Sequence, residues 1–369
     1  MTAVTVNHGG SAGTASVREP FGHEVLAVRG CESLTVANAP RSVLHDPAEP
    51  WSPTNCYMDV WIGLTATLGL DPLPMLGAAF SADFLGDQWE FLKPRQEDLE
   101  TLYGLTVGEY DTWRPLAEHV QLVMSRGDAL IVEVDAYHLP DTEGVSYGRA
   151  HTKTSIVPLR LDPVAGELVY LHNDGVHVLH GEDLDNALGT GVGSGWVPYP
   201  YVELVRLDGI RSLAPEALWQ RAVEIARGHV RRAPDAGAGN SAHPDPAADR
   251  LVAAIREHVP VLAERGMEYF HQYSFATTRQ AGLTSGLAAH ACRYLSRGAQ
   301  EWPSDVDAEQ LIEAAEQFDA AAGAAKTLQF KLARAASGRT PRIDSSAEAF
   351  VAGHTAGMRA VREALGLGE

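Results

Sequence analysis

The apolar positions of this chain change period twice. Val60, Trp61, Leu64 and Leu68 recur at helical spacing behind Asn55, a favourable N-cap, and Gly69 stands where such a helix ends, so a helix is predicted to begin at Cys56. Pro94 and Pro115 each suit the first turn of a short helix, closed by Gly104 and Gly127, and Leu116, Val120, Val123 and Met124 form the buried stripe of the second. The period then shortens. Residues 129–135, 155–161, 167–171, 176–179 and 201–207 read as strands, with Asp162 to Gly166 turning the chain between two of them, so an antiparallel sheet of roughly five or six strands is expected. Beyond Leu213 the helical spacing returns. Leu218, Ala222, Ile225, Ala226 and His229 share a face, and further helices are predicted at about 247–265, 267–298, 307–336 and 345–366. Residues 1 to about 20 carry no period and read as a loose tail, 24–37 as one or two peripheral strands, and 233–249 as a flexible loop. The segment Phe80 to Pro94 mixes aromatics with Asp87, Gln88 and Lys93 and follows neither period, which suits a functional loop with a short strand or an aromatic packing loop.

The resulting class is α+β: an N-terminal domain, 1–210, with a cysteine-bearing helix and an antiparallel sheet, followed by a helical cap or bundle, 211–369. The net charge of −19 argues against nucleic-acid binding over the whole surface, although Lys326, Lys331, Arg334, Arg339 and Arg342 form one basic stretch suited to an acidic partner. Cys31, Cys56 and Cys292 are odd in number and far apart, which argues against a disulfide framework or a cysteine-rich zinc module. No apolar run reaches membrane-spanning length, and Met1 to Val17 lack a signal-peptide pattern, so a cytoplasmic protein without a membrane partner is expected.

Cys56 changes this picture most. In the first turn of a helix, unpaired backbone N–H groups and the helix dipole favour the thiolate and make the sulfur nucleophilic; the alternative is a small buried core thiol. A thiol nucleophile needs a base and a group that orients the base. His151 stands immediately before a strand, with Lys153 beside it, and one hairpin later Asn173 and Asp174 both offer an orienting side chain. Tyr273, Thr277, Thr278, Arg279 and Gln280 are polar residues in a segment otherwise fit for burial, so they form either an interdomain hydrogen-bond network or one wall of a substrate cleft. His172, His177 and His180 with Asp174 and Asp183 raise a metal-enzyme alternative, but their spacing matches no zinc pattern and His177 points away from the other two in a strand. Neither a metal nor a cofactor is therefore assigned.

The order Cys56, His151 before a strand, Asn173-Asp174-Gly175 and the trailing Leu179 to Leu184 resembles the papain-like N-terminal domain of the butirosin-type acyltransferase, which moves an aminoacyl group from an acyl carrier protein to an aminoglycoside amine. Over nearly the whole chain the sequence also resembles a bacterial family found beside carrier proteins and synthetase-like genes. The marks of that family here are residues 55–62, 86–89, 137–142, 151–154 and 274–280. Some similarity extends to the seryl-tRNA-dependent transferase of valanimycin biosynthesis. The resemblance implies a papain-like catalytic domain with Cys56 as nucleophile, His151 as base and Asn173 as orienter. It also implies an aminoacyl donor on a carrier protein or tRNA and a small amine or hydroxylamine acceptor in specialised metabolism of the antibiotic type. Papain-type enzymes carry a Gln oxyanion donor six residues before the cysteine, where this chain has Pro50, so Asn55 or Gln88 is the expected substitute. A cysteine hydrolase, thioesterase or amidase, would use the same residues with water as acceptor, and a non-catalytic carrier-binding protein would need none of them.

Overall fold

The computed structural model describes residues 24–189, 195, 197, 200–233 and 245–368. The tail expected before residue 20 and most of the loop expected at 233–249 lie outside them. In chain order the elements are β1 (Leu26–Ala27), α1 (Cys56–Thr67), α2 (Gln96–Tyr103), β2 (Thr106–Glu109), α3 (Leu116–Met124), β3 (Ala129–Asp135), β4 (Lys153–Asp162), β5 (Glu167–His172), β6 (Gly175–His180), α4 (Gly181–Ala187), β7 (Val202–Arg206), α5 (Pro215–Arg232), α6 (Ala247–Ser274), α7 (Gln280–Glu301), α8 (Ala308–Ala336) and α9 (Asp344–Ala364). The class is α+β, with an antiparallel sheet and a C-terminal helical region. The short strand β2, the helix α4 and a 3-10 segment at Leu73–Ser81 have no counterpart in the periodicity, because each is too short to show one.

By compactness the chain forms two units. One comprises Met1–Asn38, Glu109–Leu171 and Val176–Leu204; the other comprises Ala39–Gly108, His172–Gly175 and Val205–Glu369. The sequence grouped α1 with the sheet, whereas by compactness α1 and its preceding loop fall with the C-terminal helices.

In the first unit β3 and β4 run antiparallel, with Val132 opposite Ile156, Glu133 opposite Ser155 and Asp135 opposite Lys153. Farther along β4, Leu26 and Ala27 of β1 take over the pairing, opposite Leu161 and Arg160. Val132 and Val134 of β3, Ile156 and Leu161 of β4, and Leu168 and Tyr170 of β5 join Val120 and Val123 of α3 in one core. The alternation of β3 therefore leaves Glu133 and Asp135 on the opposite face.

The second unit is built on α8, which packs against α6, α7 and α9. Gly266 breaks α6 with φ of 77°, at the boundary that separated the two helices predicted by spacing. A π-helical turn, Phe275–Arg279, then leads into α7. His354 of α9 is buried among Trp89, Phe318 and Phe350, with ring centroids 5.5, 6.0 and 5.9 Å away, and burial lowers its pKa to about 4. The unfolded chain takes up this proton near pH 6.5, while the folded chain refuses it until about pH 4. Stability from this site is therefore full above pH 6.5 and lost as the pH falls toward 4, by about 3 kcal/mol in all. Urea unfolding at pH 7.5 and pH 4.5 should show that loss in the wild type and a clearly smaller one in His354→Leu; equal losses would refute the assignment.

Candidate active site

Cys56 is the first residue of α1, and the polar residues around it fix the loop that delivers it. Asn55 caps the helix: its side-chain oxygen accepts from the Met58 N–H at 2.8 Å, while its amide donates to the Leu92 carbonyl at 3.1 Å and to Gln280 Oε1 at 3.3 Å. Asp59, fully buried in the first turn, accepts from the Thr54 N–H and hydroxyl at 3.1 and 2.7 Å and lies 3.2 Å from His45 Nε2. Arg279 reaches back from the π-helical turn to the carbonyls of Pro53 and Thr54 at 2.6 to 3.1 Å. Burial lowers the Arg279 pKa, and the Asp59 carboxylate opposes that shift. Trp51 lies over Gly282 of α7, where a Cβ would stand 2.2 Å from its ring, and donates to the Ala322 carbonyl of α8 at 3.1 Å. A π turn carries an extra residue within the helical ladder, which re-aims the side chains that follow. Here Arg279 and Gln280 both serve the loop before Cys56, and all of these residues lie in one compact unit.

Cys56 is partly exposed, whereas Cys31 and Cys292 are buried. Burial pushes the Cys31 thiol up to about 12 and the Cys292 thiol higher still. Asn55, expected as an oxyanion donor, has both ends of its amide committed to the cap and the scaffold. Gln280 Oε1 is held by Asn55, and its Nε2 is buried without a hydrogen-bond partner among the described residues. Asp87 and Gln88 stand exposed at the tip of a hairpin closed by the Phe84–Trp89 bridge. The root of that hairpin is tied to the π turn by the Trp89 N–H, which donates to the Ala276 carbonyl at 2.9 Å.

In the sheet unit, His151 Nδ1 lies 2.6 Å from Asp135 Oδ2. The register explains the meeting: Asp135 is opposite Lys153, so His151, two residues earlier, is its diagonal neighbour on the same face. Asp135 is 7% exposed, and its other oxygen accepts from the N–H groups of Tyr137 and Thr152 at 3.0 and 3.2 Å. Tyr137 stacks on the imidazole with ring centroids 4.5 Å apart. An ionised carboxylate only accepts, so Nδ1 carries the hydrogen and proton exchange with other groups falls to Nε2. Lys153 pairs with Glu133 at 2.5 Å, one step along the same face.

Asp135 thus holds the position that the resemblance gave to Asn173. A single imidazole Nδ1 has one hydrogen to direct, and it is directed at the carboxylate. Asn173 instead serves the turn between β5 and β6, where it adopts φ of 48°, a conformation that Asn tolerates better than most residues, and Asp174 beside it is exposed. Asp135 ends a strand that the sequence did predict. Only the β3–β4 register, across a long connection, reveals it as the partner of His151.

His177 and His180 turn to different carboxylates, Asp141 and Glu167, each 3.9 Å away, and among the described residues no three His, Cys, Asp or Glu side chains converge as a metal site. Ser81, His229 and Asp98 form a chain, with 2.7 Å from Ser81 Oγ to His229 Nδ1 and 2.6 Å from His229 Nε2 to Asp98 Oδ2. His229 is fully buried and its pKa is lowered by that burial. It acts as a bracket joining the 3-10 segment, α2 and α5, not as a base open to substrate. No helix among the described residues is long and apolar enough to cross a membrane.

Residues 40–207 match the DUF1839 N-terminal domain, and residues 215–363 match the DUF1839 C-terminal domain. A comparison with curated proteins finds no match.

Proposed function

We propose that this chain, which belongs to the DUF1839 family across both of its domains, is a cysteine-dependent acyl or aminoacyl transferase of papain-like type. The Cys56 thiolate attacks the acyl carbonyl of a carrier thioester or an aminoacyl-tRNA ester. The bond to the carrier thiol or ribose oxygen breaks, and a Cys56 thioester remains. A small-molecule amine or hydroxylamine then attacks that thioester, the C–N bond forms, and the cysteine leaves as thiolate. His151 takes the proton from Cys56, gives it to the departing carrier group, and takes another from the attacking amine. Asp135 positions His151. The Cys56 backbone N–H and Gln280 Nε2 are assigned to the oxyanion in both steps. The chemistry calls for no cofactor.

The observation that carries this reading is the imidazole of His151, held at Nδ1 by a buried carboxylate that is itself fixed by two backbone N–H groups. Such an arrangement sets one tautomer and one ring orientation, which a general base requires. The basic stretch suits an acidic donor, and Lys326 within it sits 4.4 Å from the centre of the Trp51 ring, on the loop leading to Cys56. A hydrolase is the second reading, because the His151 side chain is 46% exposed and water has a path to it.

Intact-mass measurement after incubation with aminoacylated carrier protein or aminoacyl-tRNA should show one added aminoacyl group, lost in Cys56→Ser. Under transfer the adduct persists in buffer and is discharged by an amine. Rapid discharge by buffer alone would favour the hydrolase, and no adduct with either donor would reject both.

A further inference from the structure

We infer that the sheet unit contains a binding pocket for a small zwitterionic amino acid. A cavity of about 200 Å³ opens at the ends of β3 and α4 and at the start of α3, with Arg114, Glu133, Asp135, His138 and Asn186 in its wall. It has room for a molecule of amino-acid size.

Its polar groups divide into two kinds. Glu133 and Asp135 supply negative charge from neighbouring positions on one strand face, and each retains acceptor capacity beyond its present partners. Arg114 and His138 supply unmet hydrogen-bonding capacity. Arg114 Nε and His138 Nε2 are both buried without a partner among the described residues, and the His138 residue is only 6% exposed. The Arg114 guanidinium lies over the Trp113 ring at 3.9 Å and makes only a loose contact with Glu118, at 3.8 Å. No side chain caps α3, whose N-terminus forms the wall next to Arg114, so backbone donors and a positive dipole end point the same way. A ligand carboxylate satisfies Arg114 and the helix end, while its ammonium group meets Glu133 and Asp135. A neutral molecule leaves both sets unsatisfied, and a simple anion meets repulsion from the two carboxylates.

Asp135 serves both this wall and His151, so occupancy bears on the base that the transferase reading assigns, whereas the binding itself does not rest on that reading. Titration calorimetry on the full-length Cys56→Ser protein with a panel of free L-amino acids should find at least one that binds. Its decarboxylated amine and its deaminated acid should each bind at least roughly tenfold more weakly, as expected for loss of a charge-assisted contact. Arg114→Gln should weaken the amino acid by a similar factor, with circular dichroism confirming the fold, and His138→Gln should weaken it less. If no amino acid binds, or if Arg114→Gln leaves the affinity unchanged in a folded protein, the pocket is not an amino-acid site. A Cys56 adduct that forms in the absence of any amino-acid binding overturns this pocket alone. Binding without any adduct overturns the transferase reading alone.

Discussion

Cys56→Ser is expected to abolish turnover, with a fall on the order of 10⁴-fold or more, because a hydroxyl in that position is not comparably ionised near neutral pH. The substitution removes no packing, so unfolding free energy should change by no more than about 0.5 kcal/mol. The wild-type protein supplies an independent readout. Iodoacetamide at neutral pH should label Cys56 well before Cys31 or Cys292, whose thiols are buried and pushed up by that burial. Peptide mapping after brief labelling distinguishes the three sites. Retained turnover in Cys56→Ser, or equal labelling of all three cysteines, would remove Cys56 from the chemistry.

The second large effect is expected at Asp135. In Asp135→Asn the side-chain oxygen stays with the Tyr137 and Thr152 N–H groups, which leaves the amide NH₂ facing His151 Nδ1. Nδ1 must then accept, Nε2 carries the hydrogen, and the base is presented in the wrong tautomer. A loss of roughly 10² to 10⁴ in kcat follows, with much less change in donor affinity. A matching change in the pH profile separates this role from a loss of fold. Asn173→Gly, which keeps the left-handed backbone of the turn, should stay within a few-fold of wild type, whereas Asn173→Ala adds a backbone cost of about 1 kcal/mol to stability. If Asn173→Gly is the more damaging change and Asp135→Asn is near wild type, Asn173 is the orienter after all.

What the sequence determined by itself is local. Asn55 before a helical apolar period fixes where α1 begins and puts Cys56 in its first turn, because a cap and a 3.6-residue period are written in neighbouring residues. The alternation of residues 129–135 marks β3, and the terminating glycine at 104 lies at the left-handed end of α2. The run Thr277 to Gln280 was legible as polar groups in need of partners. Thr277 and Thr278 find theirs locally, in the carbonyls of Tyr273 and Ser274, whereas the partners of Arg279 and Gln280, the carbonyls of Pro53 and Thr54 and the amide of Asn55, lie more than two hundred residues earlier, where no local pattern points. The contact between His151 and Asp135 is hidden from the sequence for the same reason. A turn of a few residues fixes the register of a hairpin, whereas the long connection from β3 to β4 permits many registers, and a shift of a single residue would turn Asp135 to the other face. The core packing of both faces selects the register observed, so tertiary structure alone decided which carboxylate meets His151.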